Sequence, residues 1–128
     1  MADPTPRRPA VLVVDDNPAV RQLLAAWLRS EGLVVWLAEG GPEAVEVYRR
    51  RAGAIDLALL DVNMPAWDGP RTLAALRQLN PRLPCCFVSG HTGPYAEHDL
   101  LALGAPLLRK PFPLAEAARV LRQLLGGP

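Results

Sequence analysis

The chain of 128 residues has no run approaching the ~18 consecutive apolar residues that a membrane-spanning helix requires. No membrane span is therefore read from it. Met1 to Pro9 carries prolines and arginines but no apolar stretch, unlike a secretory leader. These nine residues (1–9) read as a disordered N-terminal arm, and the expected compartment is the cytoplasm. Cysteine is scarce: Cys85 and Cys86 are the only two. Neighbours in sequence cannot staple distant parts of a fold, which excludes a disulfide scaffold. They read as small buried residues of one strand. An excess of either charge is also missing, with fourteen Lys and Arg against thirteen Asp and Glu and a net charge of +1. That balance implies no strongly basic face, so no direct nucleic-acid partner is expected. A Gly-rich phosphate loop and a Walker motif are both missing, so a nucleoside triphosphate is not the expected phosphoryl donor. There is no internal repeat and no low-complexity tract.

What is there is an alternation of short apolar runs and amphipathic stretches. Ala10 to Val14 is a Val-rich run too short for a helix, which reads as a strand buried on both faces. Asn17-Pro18 opens a helix in which Val20, Leu23, Leu24, Trp27 and Leu28 recur at helical spacing through Ser30, before Gly32 stops it. Leu33 to Ala38 is a second strand. Gly40-Gly41-Pro42 turns into a second helix carrying Ala44, Val45, Val47 and Tyr48. A third strand runs from Ile55 to Leu60 and ends at Asp61, followed by a loop broken by Pro65 and Gly69. Pro70 to Leu79 is a third helix, Cys85 to Val88 a fourth strand, and Tyr95 to Leu103 a short fourth helix. Leu107 to Arg109 is a very short fifth strand. Leu114 to Leu125 is the last helix, with Leu114, Ala117, Ala118, Leu121, Leu124 and Leu125 on its apolar side. Five such βα units predict an α/β domain over residues 10–126, with a parallel sheet covered on both faces and right-handed crossovers.

Ligands of such sheets bind beyond the carboxyl ends of the strands. Those ends carry Asp15 and Asp16 after the first strand, Asp61 after the third, Ser89 after the fourth and Lys110 after the fifth. The second ends in Ala38-Glu39 and adds no evident chemistry. If the other four are neighbours, three carboxylates converge and raise one another's pKa. A hard divalent cation, Mg²⁺, would relieve this, since it prefers oxygen ligands and is commonly shared with a phosphate. Asp61 could then attack phosphorus as a carboxylate nucleophile. Lys110 would hold one phosphoryl oxygen, Ser89 would hydrogen-bond another, and Gly90 would leave room for the incoming group. Each residue taken singly has a plainer reading: the Asp pair as helix cap and first-turn acid, Asp61 as a loop turn, Ser89 as a cap. It is their joint placement at four strand ends that points to phosphoryl chemistry.

The runs VLVVDDNP, LLDVNMPAWDG, FVSG and LLRKPF together resemble the receiver domains of two-component response regulators over residues 10 to 125. The resemblance implies a doubly wound, flavodoxin-like (βα)5 fold with the parallel sheet in order 2-1-3-4-5 and helices on both faces. It implies that Asp61 is the phosphoacceptor, taking a phosphoryl group from a phosphohistidine in a Mg²⁺-dependent reaction, followed by slow dephosphorylation or onward transfer. Asp16, Asp61 and the Asn63 main-chain carbonyl would bind Mg²⁺ directly, and Asp15 through water. Ser89 and Lys110 would read the phosphorylated state, and the Lys110-Pro111 peptide would be cis, as X-Pro bonds can be. The implied partners are a sensor histidine kinase or histidine phosphotransfer domain, docking by the first helix (Pro18 to Ser30), and a downstream protein target. As such a domain the chain is not a metabolic enzyme; it catalyses only its own phosphorylation and dephosphorylation.

Several positions are particular to this chain. Ser89 keeps the hydroxyl of the alternative Thr without its methyl, and the segment from Gly104 to Lys110 is about one residue short of the family pattern. Leu107 stands where many members carry Phe or Tyr, so a muted or different conformational change is expected, with a monomer or weak homodimer. His91 reads either as a group that tunes dephosphorylation or as an exposed loop residue. Trp67 either lies near the metal or covers the third helix. The competing function is a Mg²⁺-dependent aspartyl-phosphate phosphohydrolase; haloacid-dehalogenase-type enzymes place an Asp two residues after the nucleophile, and here that position is Asn63. The βα units use nearly the whole chain. The expectation is therefore a stand-alone receiver, a phosphorelay intermediate, or a receiver cut from a longer regulator or hybrid kinase.

Overall fold

The computed structural model describes residues 8–90 and 95–126. The expected N-terminal arm falls outside these residues except for its last two positions, and His91 falls outside them altogether. Ten elements alternate: β1 (Ala10–Val14), α1 (Pro18–Ser30), β2 (Val34–Ala38), α2 (Gly41–Arg50), β3 (Leu57–Asp61), α3 (Gly69–Leu79), β4 (Cys85–Ser89), α4 (Glu97–Leu101), β5 (Leu107–Arg109) and α5 (Leu114–Leu124). The strands form one sheet in order β2-β1-β3-β4-β5, and every pairing is parallel.

Side chains alternate between the two faces of each strand, and the core divides accordingly. Leu12, Val14, Ala58, Leu60, Cys85 and Phe87 face α2, α3 and α4, where Tyr48, Leu73, Leu76 and Leu100 cover them. Val11, Val13, Leu57, Leu59, Cys86 and Val88 face the other way, under Leu24, Ala25 and Leu28 of α1 and Ala117 and Leu121 of α5. The two cysteines therefore belong to opposite halves of the core. Both are fully buried, and burial pushes each thiol up to about 12, far from reactive thiolate character.

The boundaries differ from the sequence reading in two informative places. β3 begins at Leu57 rather than Ile55, because Asp56 is used as a brace: its carboxylate accepts the Ala10 N–H at 2.8 Å, and its own N–H bonds the Ala10 carbonyl. α4 is five residues long, shorter than the predicted Tyr95 to Leu103. Its end is held from outside by Arg77 of α3, whose guanidinium donates to the carbonyls of Leu103, Gly104 and Leu83. The chain reverses at Gly104, whose φ of +78° suits glycine.

Candidate functional site

The strand order explains which strand ends meet. β1 lies between β2 and β3, so the chain passes from β1 to β2 on one side and crosses back to β3 on the other, and a crevice opens at the carboxyl end of β1. β2 lies on the other side of β1 from β3, β4 and β5, and its terminus adds no residue to the acidic cluster. Val14 is in register with Leu60, which sets Asp15 level with Asp61. Asp61 is in register with Val88, and Ser89 with Arg109, so Ser89 and Lys110 follow on the far side.

Asp15, Asp16 and Asp61 offer carboxylate oxygens that all lie within 4.8 Å of one another. Asp15 is buried and Asp16 exposed. The Asp pair does not cap α1; Asn17 does, its side chain accepting the N–H groups of Ala19 and Val20 at 2.9 and 3.4 Å. That leaves both aspartates to the crevice. Asp15 is fixed by the Asn17 N–H at 2.9 Å and by the Lys110 ammonium at 3.5 Å, and its backbone carbonyl accepts from Arg21 at 2.7 Å. Lys110 follows β5, its N–H bonded to the Ser89 carbonyl at 2.9 Å, and its bond to Pro111 is cis. Ser89 is buried, and its hydroxyl oxygen accepts from the Asn63 side-chain amide at 3.4 Å. Around Gly90 an added Cβ would meet no atom of the described residues within 4 Å. Leu107 is half-buried and packs into the core on the α4 side.

The Asp61 carboxyl is pushed from 3.8 up to about 6, by burial first and by Asp15 next, against the lowering pull of Lys110 and of a backbone hydrogen bond at Asn63. The folded protein thus holds a proton that the unfolded chain releases. This contribution to stability is complete below pH 3.8 and is lost as pH rises through about 6. Because the carboxyl is only half-buried, solvent screening reduces the effect to about 1 kcal/mol. In chelator, urea unfolding should therefore show stability falling between pH 4 and 6. Asp61→Asn should flatten that segment and be the more stable protein above it.

All the donors of the acidic cluster are oxygens, and their mutual repulsion is visible in the proton affinity of Asp61. Both features suit a hard divalent cation such as Mg²⁺.

Two residues beside the site were not among those singled out from sequence. Asp68 lies within the LLDVNMPAWDG run and caps α3, accepting the Arg71 N–H at 2.9 Å. Its second carboxylate oxygen accepts the Tyr95 hydroxyl at 2.6 Å, which raises the pKa of that phenol. Nothing in the local sequence marks Tyr95. Trp67 covers the α2–α3 junction: its ring occupies the space a side chain at Gly41 would need, with a contact at 2.5 Å, and the Arg71 guanidinium lies 4.7 Å from the ring centre.

Comparison with known proteins agrees with this geometry. The model of the response regulator receiver domain matches residues 11–122. The chain is 38% identical over 121 residues to the sensor kinase CckA of Brucella abortus, covering 90% of this chain and 12% of that protein. It thus spans about an eighth of that relative's length. Among solved structures, the receiver domain of the hybrid histidine kinase CckA superposes with a TM-score of 0.76 at 34% identity, covering 91% of this chain and 98% of that one. The response regulator TrrA of Thermotoga maritima, solved in complex with Mg²⁺-BeF, gives a TM-score of 0.79 at 28% identity, covering 91% and 98% of the two chains. With its sheet order, its strand-end residues and these matches in agreement, the chain belongs to the response regulator receiver domains of two-component signalling.

Proposed function

We propose that Asp61 is the phosphoacceptor, taking a phosphoryl group from a phosphohistidine on a sensor kinase or phosphotransfer domain. The observation that carries this reading is the cluster itself: a half-buried carboxyl beside two others within 4.8 Å, with one ammonium 3.5 Å from Asp15. An Asp61 oxygen forms the bond to phosphorus as the P–N bond to the imidazole breaks, and the imidazole leaves with the electron pair and is protonated. Asp16, Asp61 and the Asn63 main-chain carbonyl would hold Mg²⁺, with Asp15 acting through water. A bound Mg²⁺ would neutralise charge on the transferred group. The Lys110 ammonium would hold a second phosphoryl oxygen, and the Ser89 hydroxyl a third. The domain lies in the cytoplasm in this reading, where sensor kinases present their phosphohistidine.

The test is incubation with acetyl phosphate and Mg²⁺, followed by intact mass. One phosphate should be gained and should be absent from Asp61→Asn. Steady release of phosphate without accumulation would favour the phosphohydrolase instead.

The partner would dock along α1. A groove of ≈ 360 Å³ runs from Lys110 between α1 and the start of α5, lined by Val20, Leu23, Trp27, Phe112 and Leu114. Leu23 is 71% exposed and Leu114 55%, so the apolar face of α1 is only partly used by the core. An apolar partner helix seated there would present its phosphohistidine to the crevice. Leu23→Glu should lower transfer from a histidine kinase at least about tenfold more than transfer from acetyl phosphate, the cost of burying an unpaired charge. Equal losses with both donors would count against docking at this face. On the opposite side, Leu107 is already in the core, so the α4–β5–α5 face would change little, and the domain would act as a monomer or weak homodimer.

A further inference from the structure

We propose that Tyr95 is a positioning residue for the phosphoacceptor site, its hydroxyl on Asp68 holding the start of α3 against the end of β3. The proposal rests on the phosphoacceptor reading of Asp61. Two of the side-chain bonds at this site tie residues after β3 to Ser89 and to Tyr95. One, from the Asn63 amide to Ser89, spans 3.4 Å, long for a hydrogen bond. Its acceptor, the Ser89 hydroxyl, is the group that would turn to a phosphoryl oxygen. The other, from Tyr95 to Asp68, spans 2.6 Å and has a carboxylate acceptor, which makes it the stronger. It is the bond that remains when the first opens.

Asp68 is well placed to pass this restraint on. Its other carboxylate oxygen caps α3 through the Arg71 N–H, and its carbonyl accepts the Thr72 hydroxyl at 2.9 Å and the Thr72 N–H at 3.0 Å. The next residue, Gly69, donates to the Val62 carbonyl at 2.8 Å. Its Cα is so close that an added Cβ would stand 2.7 Å from the Asp61 carbonyl oxygen. A shift of Asp68 therefore reaches the backbone of Asp61 through one residue. At the other end the Tyr95 ring packs against the same core half as Leu107.

The experiment follows phosphorylation of the whole chain by acetyl phosphate with Mg²⁺ in the wild type, Tyr95→Phe, Asp68→Ser and the double variant. Phenylalanine keeps the ring in the core; serine keeps an α3 cap but is too short to reach Tyr95. Tyr95→Phe should slow phosphorylation about three- to tenfold, the range for losing one typical net hydrogen bond. Mg²⁺ affinity, titrated separately, should stay within about twofold, and in the Asp68→Ser background Tyr95→Phe should have no further effect. A Tyr95→Phe rate equal to wild type, or a full additional loss in that background, overturns the proposal. A slowing matched by an equal loss of Mg²⁺ affinity overturns it too, since the whole site would then have loosened. A wild type that takes up no phosphate overturns the phosphoacceptor reading itself, which separates the two failures.

Discussion

Lys110→Met is expected to slow phosphorylation of Asp61 by about 100- to 1,000-fold, the usual cost of removing one preorganised charge from a phosphoryl or oxyanion site. Methionine keeps an unbranched stem of similar length against the neighbouring groove, so the loss should be of charge rather than of packing. Lys110 faces Asp15 at 3.5 Å and lowers the pKa of Asp61. Its removal should thus have a second, independent signature: the Asp61 carboxyl should titrate higher than about 6. Carboxyl-carbon NMR of the metal-free protein would read that shift, and a timed acetyl phosphate reaction would read the rate. A variant that reacts within about tenfold of wild type would deny Lys110 its place on the phosphoryl group.

Gly69→Ala should be the most damaging small substitution near the site. The added methyl would lie 2.7 Å from the Asp61 carbonyl oxygen, 2.9 Å from the Val62 Cα and 3.1 Å from the Phe87 ring. Two of these three neighbours are backbone, which cannot swing aside, so α3 must back away from the end of β3. A loss of about 2–3 kcal/mol is expected from overpacking, read as a lower urea midpoint with unchanged slope. Slower phosphorylation should accompany it, because the moving backbone carries the phosphoacceptor. Gly41 makes a useful contrast. There the crowding atoms, Trp67 Cε3 at 2.5 Å, Thr72 Oγ1 at 2.6 Å and Trp67 Cβ at 2.7 Å, belong to side chains. Gly41→Ala should therefore cost less and move Trp67, with a change in tryptophan emission.

The strands were readable because they are apolar on both faces, and Ala10–Val14 and Leu107–Arg109 have the bounds their composition suggests. The helix periodicities were readable too, yet they identified a face rather than its cover. Leu23 and Leu79 sit at apolar positions but are 71% and 41% exposed, because α1 and α3 present more apolar surface than the sheet can take. The α4 bounds are less legible, because Tyr95 is bonded to Asp68 ahead of the helix and the turn after Leu101 is held by Arg77 of α3, partners distant in sequence.

Residue types and their positions at strand ends were enough to nominate Asp15, Asp16, Asp61, Ser89 and Lys110, since a parallel sheet directs its strand ends to one side. Sequence could not say which of the three acids is buried, how far the Asp61 proton affinity is raised, or that Asn17 frees the Asp pair from capping. Nor could it pair Tyr95 with Asp68, 27 positions apart. Those properties arise from which groups become neighbours once β1 is placed between β2 and β3. Desolvation, charge coupling and hydrogen bonding depend on distances in space, and local sequence encodes only which groups are available.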